Sequence, residues 1–164
     1  MWTISRSSQE LSLDKAYDIY REQEDVLRHN RLLALNGSMP YFMHKTTHEV
    51  EVYFAEFQDE LNFTAALNIF AAGEAAIMVD FANRGKPGIG WPNTLIERYL
   101  RYQIGNGRPR LEDVIKEWMS ILRVCYPCLN TINECEKYRH WLAHGRYYKR
   151  RDRKKYDPAM VYRF

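Results

Sequence analysis

Residues 61–82 read LNFTAALNIFAAGEAAIMVDFA. Apolar or small residues occupy nearly every position around a helical projection, and no proline interrupts them. A helix that is apolar all round is buried among neighbours and does not lie amphipathically on a surface. Its alanines and glycine permit those neighbours to approach closely. Asn68, Glu74 and Asp80 interrupt the run, so it falls short of the roughly 18 continuous apolar residues of a membrane span. The stretch therefore predicts the central helix of an all-α domain, with no membrane as partner.

Working outward, the helical pattern extends back to residue 47 and on to residue 83. Thr47 is the expected N-cap, with Glu49, Glu51 and Glu56 near the positive end of the helix. Upstream, Leu13, Tyr17, Tyr20, Leu27 and Ala34 form a helical stripe over 12–35, closed by Asn36-Gly37 and confirmed by Pro40. Downstream, glycine and proline gather in GKPGIGWP (85–92) and GNGRP (105–109), which match no phosphate-loop pattern and read as connectors. Asn93 or Thr94 caps a short segment to about residue 102. Residues 110–124 form the next helix, with Leu111, Val114, Ile115, Trp118, Ile121 and Leu122 inward.

Pro127 then kinks or restarts the chain. The last long helix covers 128–144, with Leu129, Ile132, Cys135 or Glu136, Trp141 and Leu142 as mixed inward positions and Gly145 as its stop. Asp157-Pro158 begins a short final helix or an extended tail. Strand-like alternation is nearly absent. The expectation is an up-and-down bundle of four to five helices over 1–145, with 146–164 as a basic extension packed on the same domain.

At 164 residues and 19.6 kDa the chain suits one domain. Its 46% hydrophobic content is enough for a packed core. The net charge of +3 conceals an asymmetry: residues 146–155 hold seven bases and one acid, a net +6, which leaves −3 for the rest. The N-terminal sequence has no apolar leader-like run, and Cys125, Cys128 and Cys135 make no disulfide framework. A reduced, cytoplasmic protein is expected, with buried thiols and no zinc half-site at Cys125-x-x-Cys128.

Residues 138–148, YRHWLAHGRYY, concentrate two histidines, two arginines and three tyrosines at a helix end beside the basic run. Arg139 and His144, five positions apart, lie about 140° from each other around a helix. They converge in one protomer only by a long swing of the arginine. Two copies of the helix about a two-fold axis would bring two arginines and two histidines into one cleft. His140 and His144 do share a face, but no carboxylate or third ligand stands near them in sequence, so no metal and no cofactor is expected. Asn68 and Glu74, polar within the apolar central helix, either support the Arg/His cluster or line a dimer interface. Arg146, Lys149, Arg150 and Arg151, interleaved with Tyr147, suit single-stranded RNA: cations hold phosphates while aromatic rings stack on bases.

RHWLAHGRYY, followed by KYDPAMVYRF, resembles bacterial and phage members of the HEPN superfamily; the match covers about residues 137–164 and carries the arginine-x4-histidine motif as Arg139 and His144. The resemblance implies a dimerising helical bundle that cleaves RNA without metal, as a toxin–antitoxin component or phage-defence effector. It implies His144 as the catalytic histidine, Arg139 as the charge stabiliser and His140 as a third motif residue. Non-catalytic members serve as nucleic-acid- or protein-binding modules. Some members carry His-x-Tyr, whose tyrosine is adenylylated by a nucleotidyltransferase antitoxin. Here His144-Gly145-Arg146-Tyr147 puts the tyrosine one place late, which leaves that mode of regulation in doubt.

Overall fold

The structure, a computed structural model, describes residues 11–84, 97, 110–121, 126–144 and 157–163. Most of these residues are helical, with no strand among them: α1 (Leu13–Leu35), a 3-10 turn (Pro40–Phe42), α2 (Thr47–Arg84), α3 (Leu111–Ile121), α4 (Tyr126–Ala143) and α5 (Pro158–Tyr162). The all-α expectation holds. The segment expected over about 93–102 lies outside the described residues, apart from Glu97.

Local chemistry sets the ends of these helices. Ser12 caps α1, its side chain accepting from the Lys15 amide at 3.1 Å. Gly37 closes α1 with φ +73°, the left-handed conformation that glycine adopts without a Cβ clash, and the Ser38 amide reaches back to the Leu33 carbonyl at 2.9 Å. The cap of α2 is Thr46 and not Thr47. Thr46 and Glu49 satisfy each other reciprocally, the Thr46 amide donating to Glu49 Oε2 at 2.7 Å and the Glu49 amide to Thr46 Oγ1 at 3.2 Å. α4 starts two residues before the position expected for it. Pro127 falls in its first turn, where the missing amide proton costs no helical hydrogen bond, so it begins the helix without kinking it.

At about 1.5 Å per residue, the 38 residues of α2 extend roughly 57 Å, too long for a single core. Its first turns pack on the end of α1 and the 3-10 turn, through Ala34, Phe42, Val50 and Phe54. Arg31 grips both oxygens of Glu51 there, at 2.7 Å each. Its C-terminal half builds the main core, where Ala66, Ile69 and Ala72 meet Ala16 of α1, Cys135 and Tyr138 of α4, and Val161 of α5. A third cluster joins Ile77 to Leu111 and Ile115 of α3 and Ile132 of α4. By length, and by a mean hydropathy of 1.5 over an 18-residue stretch of it, α2 could cross a membrane; 39% of that stretch is buried inside the protein. Its flanks are contacted by α1, α3, α4 and α5, which makes it the central helix of this bundle.

Residue pairing gives the helix directions. From Ala34 beside Val50, through Tyr20 bonded to Asn62, to Leu13 beside Gly73, α1 runs against α2. Tyr138 beside Phe70 and Trp141 beside Phe63 make α4 antiparallel to α2 as well. Arg110 shares a cleft with Glu74 while Trp118 lies under Arg84, so α3 runs parallel to α2.

The last helix closes the core. Asp157 caps α5 by accepting from the Ala159 amide at 2.7 Å, and Pro158 and Val161 are buried. Tyr162 stacks on Tyr17 with ring centroids 4.2 Å apart and donates to Asp14 Oδ1 at 2.8 Å. Of the two expectations for this segment, the helix is the one observed.

Candidate functional site

The last turns of α4 present two different faces. Cys135 and Tyr138, 1% and 2% exposed, point into the main core, and Tyr138 stacks beside Trp141 with centroids 5.7 Å apart. This anchoring fixes the rotation of the helix about its axis. Arg139 then falls at the edge facing α2, while His140 and His144 face solvent. Cys135 is buried, as expected. Cys125 lies outside the described residues.

Arg139 is held across the bundle by Glu74: its Nη1 donates to Glu74 Oε2, and the two side chains are 30% and 29% exposed. Glu74 and Arg139 thus form a direct interhelical ion pair. Arg139 Nε is buried with no hydrogen-bond partner. Asn68 is exposed. The asparagine with inward partners is Asn62, whose Oδ1 accepts from Tyr20 Oη at 3.2 Å and from Gln58 Nε2 at 2.9 Å. Burial first, then the nearby carboxylates Glu24 and Asp157, pushes the Tyr20 hydroxyl up to about 12.

His140 and His144 lie one turn apart with ring centroids 4.1 Å from each other and planes tilted by 56°. The His144 amide still donates to the His140 carbonyl at 3.1 Å, so helical geometry continues through the second histidine. α4 thus groups Arg139 with Glu74 and His140 with His144, on faces about 100–140° apart. Arg146, Tyr147, Lys149, Arg150 and Arg151 lie outside the described residues.

On the Arg139 side a cleft of about 430 Å³ opens between α2, α3 and α4. Glu74 and Arg139 line it from one side, Arg110 and Glu112 from the start of α3, and Glu136 from the turn of α4 preceding Arg139; Met78 and Leu111 supply its apolar surface. Burial, reinforced by Glu112 and Glu74, pushes the Glu136 carboxyl up from its ordinary value; Arg139 and Lys116 oppose that rise. The charged role of Glu136 was not apparent in the sequence, where it competed with Cys135 for an inward position. Its one usable signal was the i, i+3 spacing to Arg139. Among the described residues no three His, Cys, Asp or Glu side chains are grouped to hold a metal ion.

No family model, curated protein or solved structure matches this chain.

Proposed function

We propose that the chain is a metal-independent endoribonuclease of HEPN type, working in the cytoplasm as a toxin or phage-defence effector. The observation carrying this reading is the end of α4: two solvent-facing imidazoles in ring contact, next in sequence to an arginine fixed by an ion pair to another helix. Transesterification of RNA needs those groups. One imidazole takes the proton of the 2′-hydroxyl, and O2′ attacks phosphorus. The P–O5′ bond breaks, the second imidazole protonates the departing 5′-oxygen, and a 2′,3′-cyclic phosphate remains. A guanidinium stabilises the charge on the phosphorane.

Because Arg139 and His144 diverge around α4, the proposed active site is composite. In a homodimer, Arg139 of one copy faces His144 of the other, and His140 orients its neighbour across the cleft. The +6 segment that follows His144 in sequence, including Arg146, Lys149, Arg150 and Arg151, supplies phosphate affinity and Tyr147 a stacking surface. Any antitoxin partner acts on this assembly. A nucleotidyltransferase antitoxin would find its tyrosine displaced by one position.

A second reading, a non-catalytic HEPN-like module that binds nucleic acid or protein, is favoured by one observation: Glu74 already neutralises Arg139. Expression of the wild type beside His144→Ala separates the two. The nuclease reading expects growth arrest from the wild type and relief of it in the variant. Steeply salt-dependent RNA binding that ignores His144→Ala, with no arrest, supports the module instead.

A further inference from the structure

We infer that the cleft between α2, α3 and α4 is a base-recognition subsite that takes guanine from single-stranded RNA. This inference rests on the nuclease reading for its biological setting, while its binding chemistry stands on the cleft alone. The volume, about 430 Å³, accommodates a nucleoside-sized group, and Met78 and Leu111 offer apolar surface to a planar ring. The polar lining then selects the ligand.

Glu74 and Arg139 neutralise each other, which leaves Glu112, Glu136 and Arg110 as the charges a ligand meets. Two carboxylates against one guanidinium repel a phosphate, so the cleft suits an uncharged group rich in N–H donors. Guanine carries N1–H and N2–H₂ side by side, a pair that one carboxylate accepts with both oxygens. Its O6 and N7 face the other way as acceptors for an arginine fork. Adenine has no N1–H. Cytosine offers a single amino donor beside an acceptor, and uracil a single N–H between two carbonyls. Glu136 is the expected acceptor and Arg110 the expected donor.

The test is calorimetric binding of free guanosine, inosine, adenosine and cytidine to the full-length protein. None of these carries a phosphodiester, so the readout does not depend on cleavage. Guanosine is expected to bind about tenfold or more tighter than adenosine or cytidine, with inosine, lacking the 2-amino donor, in between. Glu136→Gln, nearly isosteric, should reduce guanosine affinity about tenfold. Arg110→Gln, at an exposed position, should weaken it independently, and Glu22→Gln, on α1, should not. Failure of guanosine to bind, equal affinity for all four nucleosides, or unchanged affinity in Glu136→Gln overturns the subsite. Selective guanosine binding by a protein that leaves RNA intact in EDTA supports the subsite and overturns only the nuclease reading. RNA cleavage without guanosine preference does the reverse.

Discussion

The guanidinium of Arg139 on α4 is bound to the carboxylate of Glu74 on α2, a residue 65 positions earlier in the chain. The pair fixes how the end of α4 sits against the central helix, and with it the direction in which the histidine pair faces. An arginine so placed is held in one rotamer before any substrate arrives.

A double-mutant cycle of Glu74→Gln and Arg139→Gln should return a coupling of about 1–2 kcal/mol in urea unfolding. That is above a typical surface pair and below a fully buried one, since both side chains are about 30% exposed. A coupling indistinguishable from zero would contradict a fixed pair. Glu74→Gln should also slow RNA cleavage without abolishing it, because it acts through Arg139.

Val161 is buried in the cluster that holds Tyr138, and Tyr162 is bonded to Asp14 at the other end of the chain. Val161→Ala should therefore cost about 2 kcal/mol, or about 4–8 °C in Tm. Tyr162→Phe, which keeps the stacking on Tyr17, should cost less than about 1 kcal/mol. Thermal unfolding followed by circular dichroism checks both. Equal and negligible shifts would mean that α5 is not part of the core.

Glu136 sets a pH dependence of definite sign. Its carboxyl is pushed up by burial and by Glu112 and Glu74, so its stabilising contribution is fully present below the unfolded value and is lost as pH rises through the folded one. Glu136→Gln, which mimics the protonated form, should gain stability relative to the wild type as pH climbs from about 4 to about 7. Glu49 and Glu51 act oppositely. The Thr46 amide and hydroxyl lower Glu49 and the Arg31 hydrogen bond lowers Glu51, so their contributions fade as pH falls. Chemical denaturation of the two proteins across this range reads the difference. A gap that narrows as pH rises would contradict the assignment.

The helices of this bundle were legible where periodicity and caps agree. Ser12, Asn36-Gly37 and Asp157-Pro158 mark ends that the structure keeps. The neighbouring Thr46 and Thr47 differ in the Glu49 lying three residues after the first, the reciprocal signature that identifies the true cap. Asn62 and Asn68 could not be told apart in the same way. They lie about 120° apart around a helix that is apolar on every side, and only the docking of α1 decides which of them turns inward. Glu74 was visible as a polar interruption, whereas Glu136 became part of the site only when α3 brought Arg110 and Glu112 beside it. Contacts of that kind depend on tertiary packing, which no local pattern encodes.

The central claim is a composite, metal-free active site made of Arg139 and His144. Cleavage of a single-stranded RNA in EDTA by the wild type, by Arg139→Ala, by His144→Ala and by an equimolar mixture of the two variants refolded together tests it most directly. The account predicts cutting by the wild type with a 2′,3′-cyclic phosphate product, a loss of about 100-fold or more in each variant, and partial recovery in the mixture. Recovery follows because a mixed dimer regains one site with both groups. Undiminished cutting by His144→Ala, or no cutting by the wild type, would contradict it.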